Sequence, residues 1–124
     1  MTTSDTSLDP APIPAEQIRI PDSRVLRFEG EGHGSSVSFF LVTCDPGQGP
    51  RLHRHPYDET FHVLDGEARL VADDVELALR PGDTAIAPAQ AWHRFTATGE
   101  GTLRIVCIHA SPVMIQEYPE ETSR

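Results

Sequence analysis

Short apolar segments separated by turn-forming residues make up most of the chain after Ile18. Each segment is five to nine residues long, which is typical of β-strands. The segments are RVLRF (24–28), SVSFFLVTC (36–44), TFHVL (60–64), EARLVA (67–72), VELAL (75–79), TAIAP (84–88), HRFTA (93–97) and LRIVCIH (103–109). Clusters of Gly, Pro and Asp lie between them, as expected of turns between antiparallel strands.

The segment 75–79 shows the strand pattern most clearly, because Val75, Leu77 and Leu79 alternate with polar or small residues. This period of two predicts a strand with one buried face. No stretch of the folded part has a comparable helical pattern, and we expect at most a helical turn near the C-terminus. Evenly spaced strands with Gly- and Pro-rich turns predict an all-β antiparallel sandwich or small barrel.

The length of 124 residues suits one domain with one hydrophobic core. Residues 1–17 are rich in Thr, Ser, Asp and Pro and have no apolar periodicity, so burial cannot offset the entropy lost on ordering them. We therefore expect a flexible N-terminal tail over 1–17, a folded domain over 18–115 and a C-terminal tail over 116–124. The N-terminus lacks the basic and apolar regions of a secretory signal, which favours a cytoplasmic protein.

Composition removes several classes of function. Acidic residues outnumber basic ones 19 to 10, for a formal charge of -9, and such a surface repels nucleic-acid phosphates and anionic lipid. We therefore expect no nucleic acid and no membrane as partners. All ten basic residues are Arg, which excludes mechanisms that need a Schiff-base lysine or a Walker-type lysine. Cys44 and Cys107 lie far apart in apolar segments, which favours buried, reduced side chains.

The segment GQGPRLHRHPYDETFHVLDG, residues 47–66, holds the residues best suited to chemistry. His53 and His55 are two positions apart, so on one strand their side chains would leave the same face. Glu59 follows Pro56, which interrupts a strand ladder, so periodicity alone does not place Glu59 beside the imidazoles. The pattern by itself therefore leaves open whether these residues are ligands or surface polar residues.

The spacing of these residues resembles the first motif of the cupin superfamily, which runs Gly, His-x-His, Glu and Gly at set intervals. The matching residues are Gly47, His53, His55, Glu59 and Gly66. The second cupin motif is matched by Gly82, Pro88 and His93, whereas Gln90 and Ala97 stand where the family usually has Gly and Asn. The resemblance covers residues 24–109 and is to small single-domain microbial cupins of the quercetinase or polyketide-cyclase type. At position 90 a positive φ would strain the Gln side chain.

This resemblance implies an all-β cupin fold, an antiparallel β-sandwich or jelly-roll barrel. It also implies one divalent transition metal, bound by His53, His55, Glu59 and His93. Three imidazoles and a carboxylate suit Fe, Ni, Mn, Co or Zn and are poor ligands for Mg or Ca. Because an imidazole ligand must be neutral, we expect the affinity for metal to fall below roughly pH 6.

Three residues are candidates for catalysis beside such a metal: Glu59 itself, Tyr57 and His109. Tyr57 could support the site or serve only the turn that contains it, and His109 could exchange a proton at the mouth of the cavity or simply end its strand. His62 lies three positions after Glu59, so we expect it to point to the opposite face. His33 lies in a glycine-rich loop, where we expect a solvated side chain.

Three classes of function fit these residues. The first is a dioxygenase-like metalloenzyme that acts on a small chelating metabolite, enolic or aromatic. The second is a redox-neutral cyclase, isomerase or lyase in which the metal polarises a carbonyl. The third is a non-catalytic module that binds a metabolite or metal. We expect a small-molecule ligand in each case, and a homodimer in which Phe40, Trp92 and the C-terminal VMI segment cover strand edges.

Overall fold

The computed structural model describes residues 10–122, so the first nine residues of the expected tail lie outside it. The strands are β1 (Leu26–Phe28), β2 (Ser38–Cys44), β3 (Glu59–Asp65), β4 (Glu67–Ala72), β5 (Val75–Leu79), β6 (Thr84–Ala87), β7 (His93–Thr98) and β8 (Leu103–His109). The helices are α1 (Ala15–Ile18), a 3-10 helix (Gly30–His33) and α2 (Pro119–Thr122). Each of the eight strands overlaps one apolar segment, and α2 is the helical turn expected near the C-terminus. The expectation of no other helix is wrong, because α1 and the 3-10 helix are also present; at four residues each, they are too short to show an apolar period.

The strands form two antiparallel sheets that together make a β-sandwich. The larger sheet has the order β1-β2-β8-β3-β6 and the smaller has the order β5-β4-β7. In the larger sheet the long strands β2, β8 and β3 lie side by side along most of their length. The all-β antiparallel fold predicted from the spacing of the apolar segments is therefore confirmed.

The core lies between the two sheets and consists of alternate residues along the strands. Phe61 and Val63 of β3 and Leu70 of β4 are at most 1% exposed. Burying a side chain of this size contributes about 1.5–3 kcal/mol, which is why the alternation of polarity decides which face of a strand turns inward. Cys44 and Cys107 are free and buried in the same core, as expected.

Strand β5 departs from its predicted burial. Leu79 is 6% exposed, but Val75 and Leu77 are 53% and 38% exposed. The reason is that β5 is an edge strand, paired only with β4, so its outer part has no facing strand to cover it. The alternation correctly predicted the strand, and the prediction that its whole apolar face is buried is wrong.

Gly66 marks the end of the strand that carries the candidate carboxylate. Its φ is +78°, and a Cβ at this position would collide with the backbone of Thr102 and Leu103, so glycine is needed here. Strand β3 runs from Glu59 to Asp65. The interval between Glu59 and Gly66 in the motif is therefore the length of one strand.

Within residues 10–122, none of the helices has the length and apolar character that crossing a bilayer requires.

Candidate metal centre

The segment before β3 lies beside the start of β7 and brings histidines together. His53 and His93 form an antiparallel bridge in which each backbone amide donates to the other residue's carbonyl, at 3.0 and 2.8 Å. Their ring centroids are 4.5 Å apart. The ring of His55 lies 4.9 Å from that of His53, so the two imidazoles of the His-x-His sequence share one side, as expected.

Two features of the surrounding loops bring Glu59 and His55 to the same place. The chain turns through Pro56 and enters β3 at Glu59, whose side chain points inward and is buried. The amide of Gln90 donates to the carbonyl of His55 at 2.7 Å. Gln90 has a φ of +71°, so the positive φ that was considered at this position is present, and the turn before His93 is strained.

The four predicted ligands converge. One ligand atom from each of His53, His55, Glu59 and His93 lies within 4.8 Å of all the others, and all four residues are buried. Glu59 Oε1 is 2.9 Å from His55 Nε2 and 2.9 Å from His93 Nε2. This is a compact set of nitrogen and oxygen atoms around one point, as a single metal ion requires.

The hydrogen bonds of the three imidazoles leave Nε2 of each ring free to bind a metal. Each histidine directs Nδ1 at a backbone carbonyl: His53 at Arg51 O (2.7 Å), His55 at Ile115 O (2.8 Å) and His93 at Ala91 O (3.0 Å). A carbonyl only accepts, so Nδ1 carries the proton and a neutral ring keeps its lone pair on Nε2. The Nε2 lone pairs and the negatively charged Glu59 carboxylate repel each other unless a cation lies between them. Three imidazoles and a carboxylate suit a first-row divalent metal.

Burial and mutual contacts shift the pKa values of this cluster in different directions. Burial alone would raise the pKa of Glu59, but its contacts with His109, His55 and His93 hold that pKa well below its usual range. Burial lowers the pKa of His53 to about 4. For His93 the lowering effect of burial is outweighed by Glu59 and the Ala91 carbonyl, so the pKa is raised. The site thus combines a carboxylate with at least one imidazole that stays neutral.

Tyr57 and His109 lie next to the four residues. The hydroxyl of Tyr57 is 2.7 Å from His109 Nδ1 and accepts the amide proton of Ile115 at 3.1 Å. His109 Nε2 lies 3.2 Å from Glu59 Oε2, yet the two atoms are not aligned for a hydrogen bond, and this buried nitrogen has no hydrogen-bond partner. Both predicted candidates for catalysis therefore contact the cluster or each other.

A cavity of about 730 Å³ opens onto Glu59, His53 and His109. Its apolar lining comes from Val25, Phe40, Val42 and Cys44, and its polar lining includes Arg24, Gln48 and Gln116. The turn 22–25 and Gln116 lie outside the two motifs, so no spacing rule could have found them. Phe40 faces the cavity and contacts His109 edge-on at 5.5 Å.

The chain after β8 returns across the back of the site, and we call residues 114–120 the C-terminal strap. Its Glu117 exchanges two backbone hydrogen bonds with Arg54, both at 3.0 Å, and their side chains form an ion pair at 2.8 Å. A second ion pair joins Arg51 to Glu120 at 2.9 Å. The expected C-terminal tail thus begins with residues that contact the ligand-bearing segment, a feature that side-chain patterns did not reveal.

Other candidate residues lie outside the cluster. His62 points away from Glu59, as expected, and its Nδ1 is 2.8 Å from Thr84 Oγ1. His33 is exposed and stacks on Phe28.

Two residues expected at a dimer contact also make contacts within the chain. Phe40 faces the cavity, and Trp92 is half-buried beneath the guanidinium of Arg54 at 4.4 Å.

The Cupin domain family model matches residues 40–109, more than half of the chain. The chain belongs to the cupin family. The cupin is 31% identical over 102 residues to Protein SchB of Streptomyces halstedii, an alignment that covers 82% of this chain and 73% of that protein.

Solved structures agree with the fold. A cupin 2 domain-containing protein from Halorhodospira halophila superposes with a TM-score of 0.69 at 28% identity, covering 78% of this cupin and 70% of that chain. Oxalate decarboxylase from Bacillus subtilis, a protein with Mn(II) centres, superposes with a TM-score of 0.72 at 20% identity. That alignment covers 84% of this cupin but only 30% of the decarboxylase, so it supports the architecture of one cupin domain.

Proposed function

We propose that this cupin binds one divalent transition metal through His53, His55, Glu59 and His93 and acts as a metalloenzyme on a small chelating metabolite. The observation that carries the proposal is the convergence of four buried ligand atoms within 4.8 Å of one another at a cavity. The donor set is compatible with Fe, Ni, Mn, Co or Zn. The Mn(II) centres of the structurally similar oxalate decarboxylase are consistent with manganese being among the metals to test.

The cavity supports an enolic or aromatic ligand. Its apolar part contains Phe40 and Val42, and the cation that lines it, Arg24, forms an ion pair with Asp45 at 3.2 Å. A pocket whose surface is mostly apolar favours a ligand whose ring packs against side chains. Two adjacent oxygens of such a ligand would then face the metal ligands at the inner end of the cavity.

The first reaction class that we propose is dioxygenase-like. A bound divalent metal supplies Lewis acidity and open positions for a chelating ligand. The buried histidines and Glu59 hold those positions towards the cavity, and the apolar lining limits the access of water. His109, with a buried nitrogen that has no hydrogen-bond partner, is placed to bond to an oxygen atom of the ligand.

A specific observation also favours the second class, a redox-neutral cyclase, isomerase or lyase. Such reactions need a group that moves a proton at the substrate. Tyr57 and His109 are joined at 2.7 Å, and His109 lies 3.2 Å from Glu59. The hydrogen-bonded pair of Tyr57 and His109, which lines the cavity through His109, could exchange a proton with a substrate; a dioxygenase does not require this to the same extent.

Metal content and ligand spectra test the proposal together. The protein is loaded with Co(II), Ni(II), Fe(II), Mn(II) or Zn(II), and the visible spectra of the coloured forms are recorded with flavonol-like and polyketide-derived enols. We expect one metal per chain and a spectral change on adding ligand, both lost in His55→Ala. Oxygen consumption selects the dioxygenase, product formed without oxygen selects the redox-neutral enzyme, and binding without turnover identifies a binding module. Absence of stoichiometric metal contradicts the proposal.

We also propose a homodimer. Its support is that Leu64, Ile86 and Ile108 are 44%, 58% and 37% exposed on the larger sheet, and edge strand β5 exposes Val75. Exposed strand edges and apolar side chains favour association. Light scattering at micromolar concentration tests this, and a monomer there contradicts it.

A further inference from the structure

One residue of the C-terminal strap contacts both sides of the candidate site through its backbone. The carbonyl of Ile115 lies 2.8 Å from His55 Nδ1, and the amide of Ile115 donates to the hydroxyl of Tyr57 at 3.1 Å. Ile115 follows the region that the family model matches, residues 40–109. Its side chain is 45% exposed, so only its backbone takes part in these contacts.

The first contact determines where the proton of His55 lies. A carbonyl oxygen can only accept a hydrogen bond, so the imidazole must donate from Nδ1. A neutral imidazole with its proton on Nδ1 has its lone pair on Nε2. His55 Nε2 is the atom that lies 2.9 Å from Glu59 Oε1, at the proposed position of the metal.

The second contact acts through Tyr57, whose hydroxyl has a single proton. That hydroxyl already accepts a hydrogen bond from the Ile115 amide. It could donate to the Ile115 carbonyl, 3.5 Å away, or to His109 Nδ1, 2.7 Å away. The 2.7 Å contact could run in either direction, but His109 Nε2 lies 3.2 Å from Glu59 Oε2. A carboxylate oxygen only accepts, so an N–H on Nε2 fits better there than a lone pair, and Tyr57 donates to Nδ1. A neutral His109 then carries its own proton on Nε2.

His109 Nε2 is thereby a hydrogen-bond donor whose neighbouring acceptor, Glu59 Oε2 at 3.2 Å, is not aligned with it. The residue is 1% exposed and lines the cavity, and this nitrogen has no hydrogen-bond partner. A buried donor without an aligned acceptor is destabilising, and a ligand oxygen bound beside it would supply the missing partner.

We propose that the backbone of Ile115 sets the proton positions of both histidines, so that His55 offers a lone pair to the metal and His109 offers an N–H to a ligand oxygen. The ligand class is a small molecule with a carbonyl, enolate or phenolate oxygen next to its metal-chelating atoms. The His55 half of this inference rests on the proposed function, whereas the His109 half does not require a metal.

The contacts of the strap identify the substitution that tests this. The amide of Glu117, two residues after Ile115, donates to the carbonyl of Arg54 at 3.0 Å. Glu117→Pro removes that donor and fixes φ, whereas Glu117→Ala loses the carboxylate and keeps the amide. The carboxylate belongs to a partly exposed ion pair, which contributes little, so Glu117→Ala is the matched control.

Nitrogen-15 NMR of the histidine side chains reads the proton positions directly. In the metal-free wild-type protein we expect His109 to be protonated on Nε2. In the zinc-loaded protein we expect a slowly exchanging Nδ1 proton on His55, retained in Glu117→Ala and lost in Glu117→Pro. We expect Glu117→Pro to weaken zinc binding by about tenfold or more and Glu117→Ala by less than about threefold.

A second variant keeps the test decisive if Glu117→Pro does not fold. Tyr57→Phe removes the hydroxyl that contacts His109 and the Ile115 amide, and it keeps the Ile115 carbonyl that faces His55. We therefore expect the His109 signals to shift towards the other tautomer while the His55 Nδ1 proton remains. A wild-type His109 protonated on Nδ1, or a Glu117→Pro protein with unchanged zinc affinity and an unchanged His55 proton, overturns the inference. A wild-type protein that binds no metal refutes the proposed function separately, because the His109 tautomer is read without metal.

Discussion

The two sides of the candidate metal centre are built differently. His53 and His93 belong to one backbone bridge, and each directs Nδ1 at the carbonyl of the residue two positions earlier, Arg51 and Ala91. His55 instead directs Nδ1 at Ile115, 60 residues further along the chain. One side is organised by short-range structure, and the other depends on a strap outside the family's matched region.

This difference shows which parts of the centre can vary independently. A carbonyl two residues away moves with its own histidine, so the orientations of His53 and His93 follow from the local backbone. The orientation of His55 depends on the position of the strap, which two backbone hydrogen bonds between Arg54 and Glu117 hold in place. Changes in the C-terminal segment should therefore alter one ligand of the metal without disturbing the other side.

Removal of a ligand from either side should have the largest effect. We expect His55→Ala and His93→Ala both to abolish stoichiometric metal, because each removes one of four converging ligand atoms. His62→Ala is the control, since His62 contacts Thr84 on the other face of β3. Metal content after dialysis measures the effect, and a full equivalent of metal in either ligand variant would show that the cluster is not the binding site.

Acidification should act on the two histidines of the locally organised side one after the other. Metal binding needs a neutral imidazole, and His93 has a pKa raised above its ordinary 6.5, whereas that of His53 is lowered to about 4. As the pH falls, His93 therefore gains a proton before His53 does. We expect the zinc affinity to fall about tenfold per pH unit once His93 is protonated, as measured by competition with a chelator between pH 8 and 5. A pH-independent affinity over that range would contradict this order.

Replacement of Gln90 should have a smaller effect, on the free energy of unfolding. Gln90 contacts both sides of the centre, because its amide donates to the carbonyl of His55 and its turn leads to His93. Its φ of +71° carries about 1–3 kcal/mol of strain, which Gly relieves at an entropic cost of about 0.5–1 kcal/mol. We expect Gln90→Gly to raise the free energy of unfolding by about 1 kcal/mol, a few degrees in Tm.

The control for this change is Asp73, whose φ is also positive, at +52°. Its carboxylate accepts the amide proton of Trp92 at 3.0 Å, so Asp73→Gly loses a hydrogen bond along with any strain. We expect no gain in stability from Asp73→Gly, and the absence of a gain from Gln90→Gly would argue against strain at Gln90.

The smallest effect is expected from the N-terminal segment, which supports neither side of the centre. Residues 10–17 are exposed. A chain that begins at Gln17 should keep its Tm within about two degrees and its metal content. A larger loss of thermal stability would mean that the segment docks on the domain.

How much of the structure can be predicted from the sequence alone depends on how far apart along the chain the interacting residues lie. Strand positions were predictable because burial on one face imposes a period of two on side chains. The position of Gly66 in the motif matches the length of β3, because the glycine comes directly after the last residue of that strand. The edge strand shows the limit: the period that marks Val75 and Leu77 as apolar does not reveal that β5 has a neighbour on one side only.

The sequence determined the four candidate ligands, since its spacing of His-x-His, Glu and a distant His resembles the two cupin motifs. Only the tertiary structure decided what orients them. The group that faces His55 is a backbone carbonyl, which every residue has and no pattern distinguishes. The link from Tyr57 to His109 joins residues 52 positions apart, and such contacts exist only after β3 and β8 have paired.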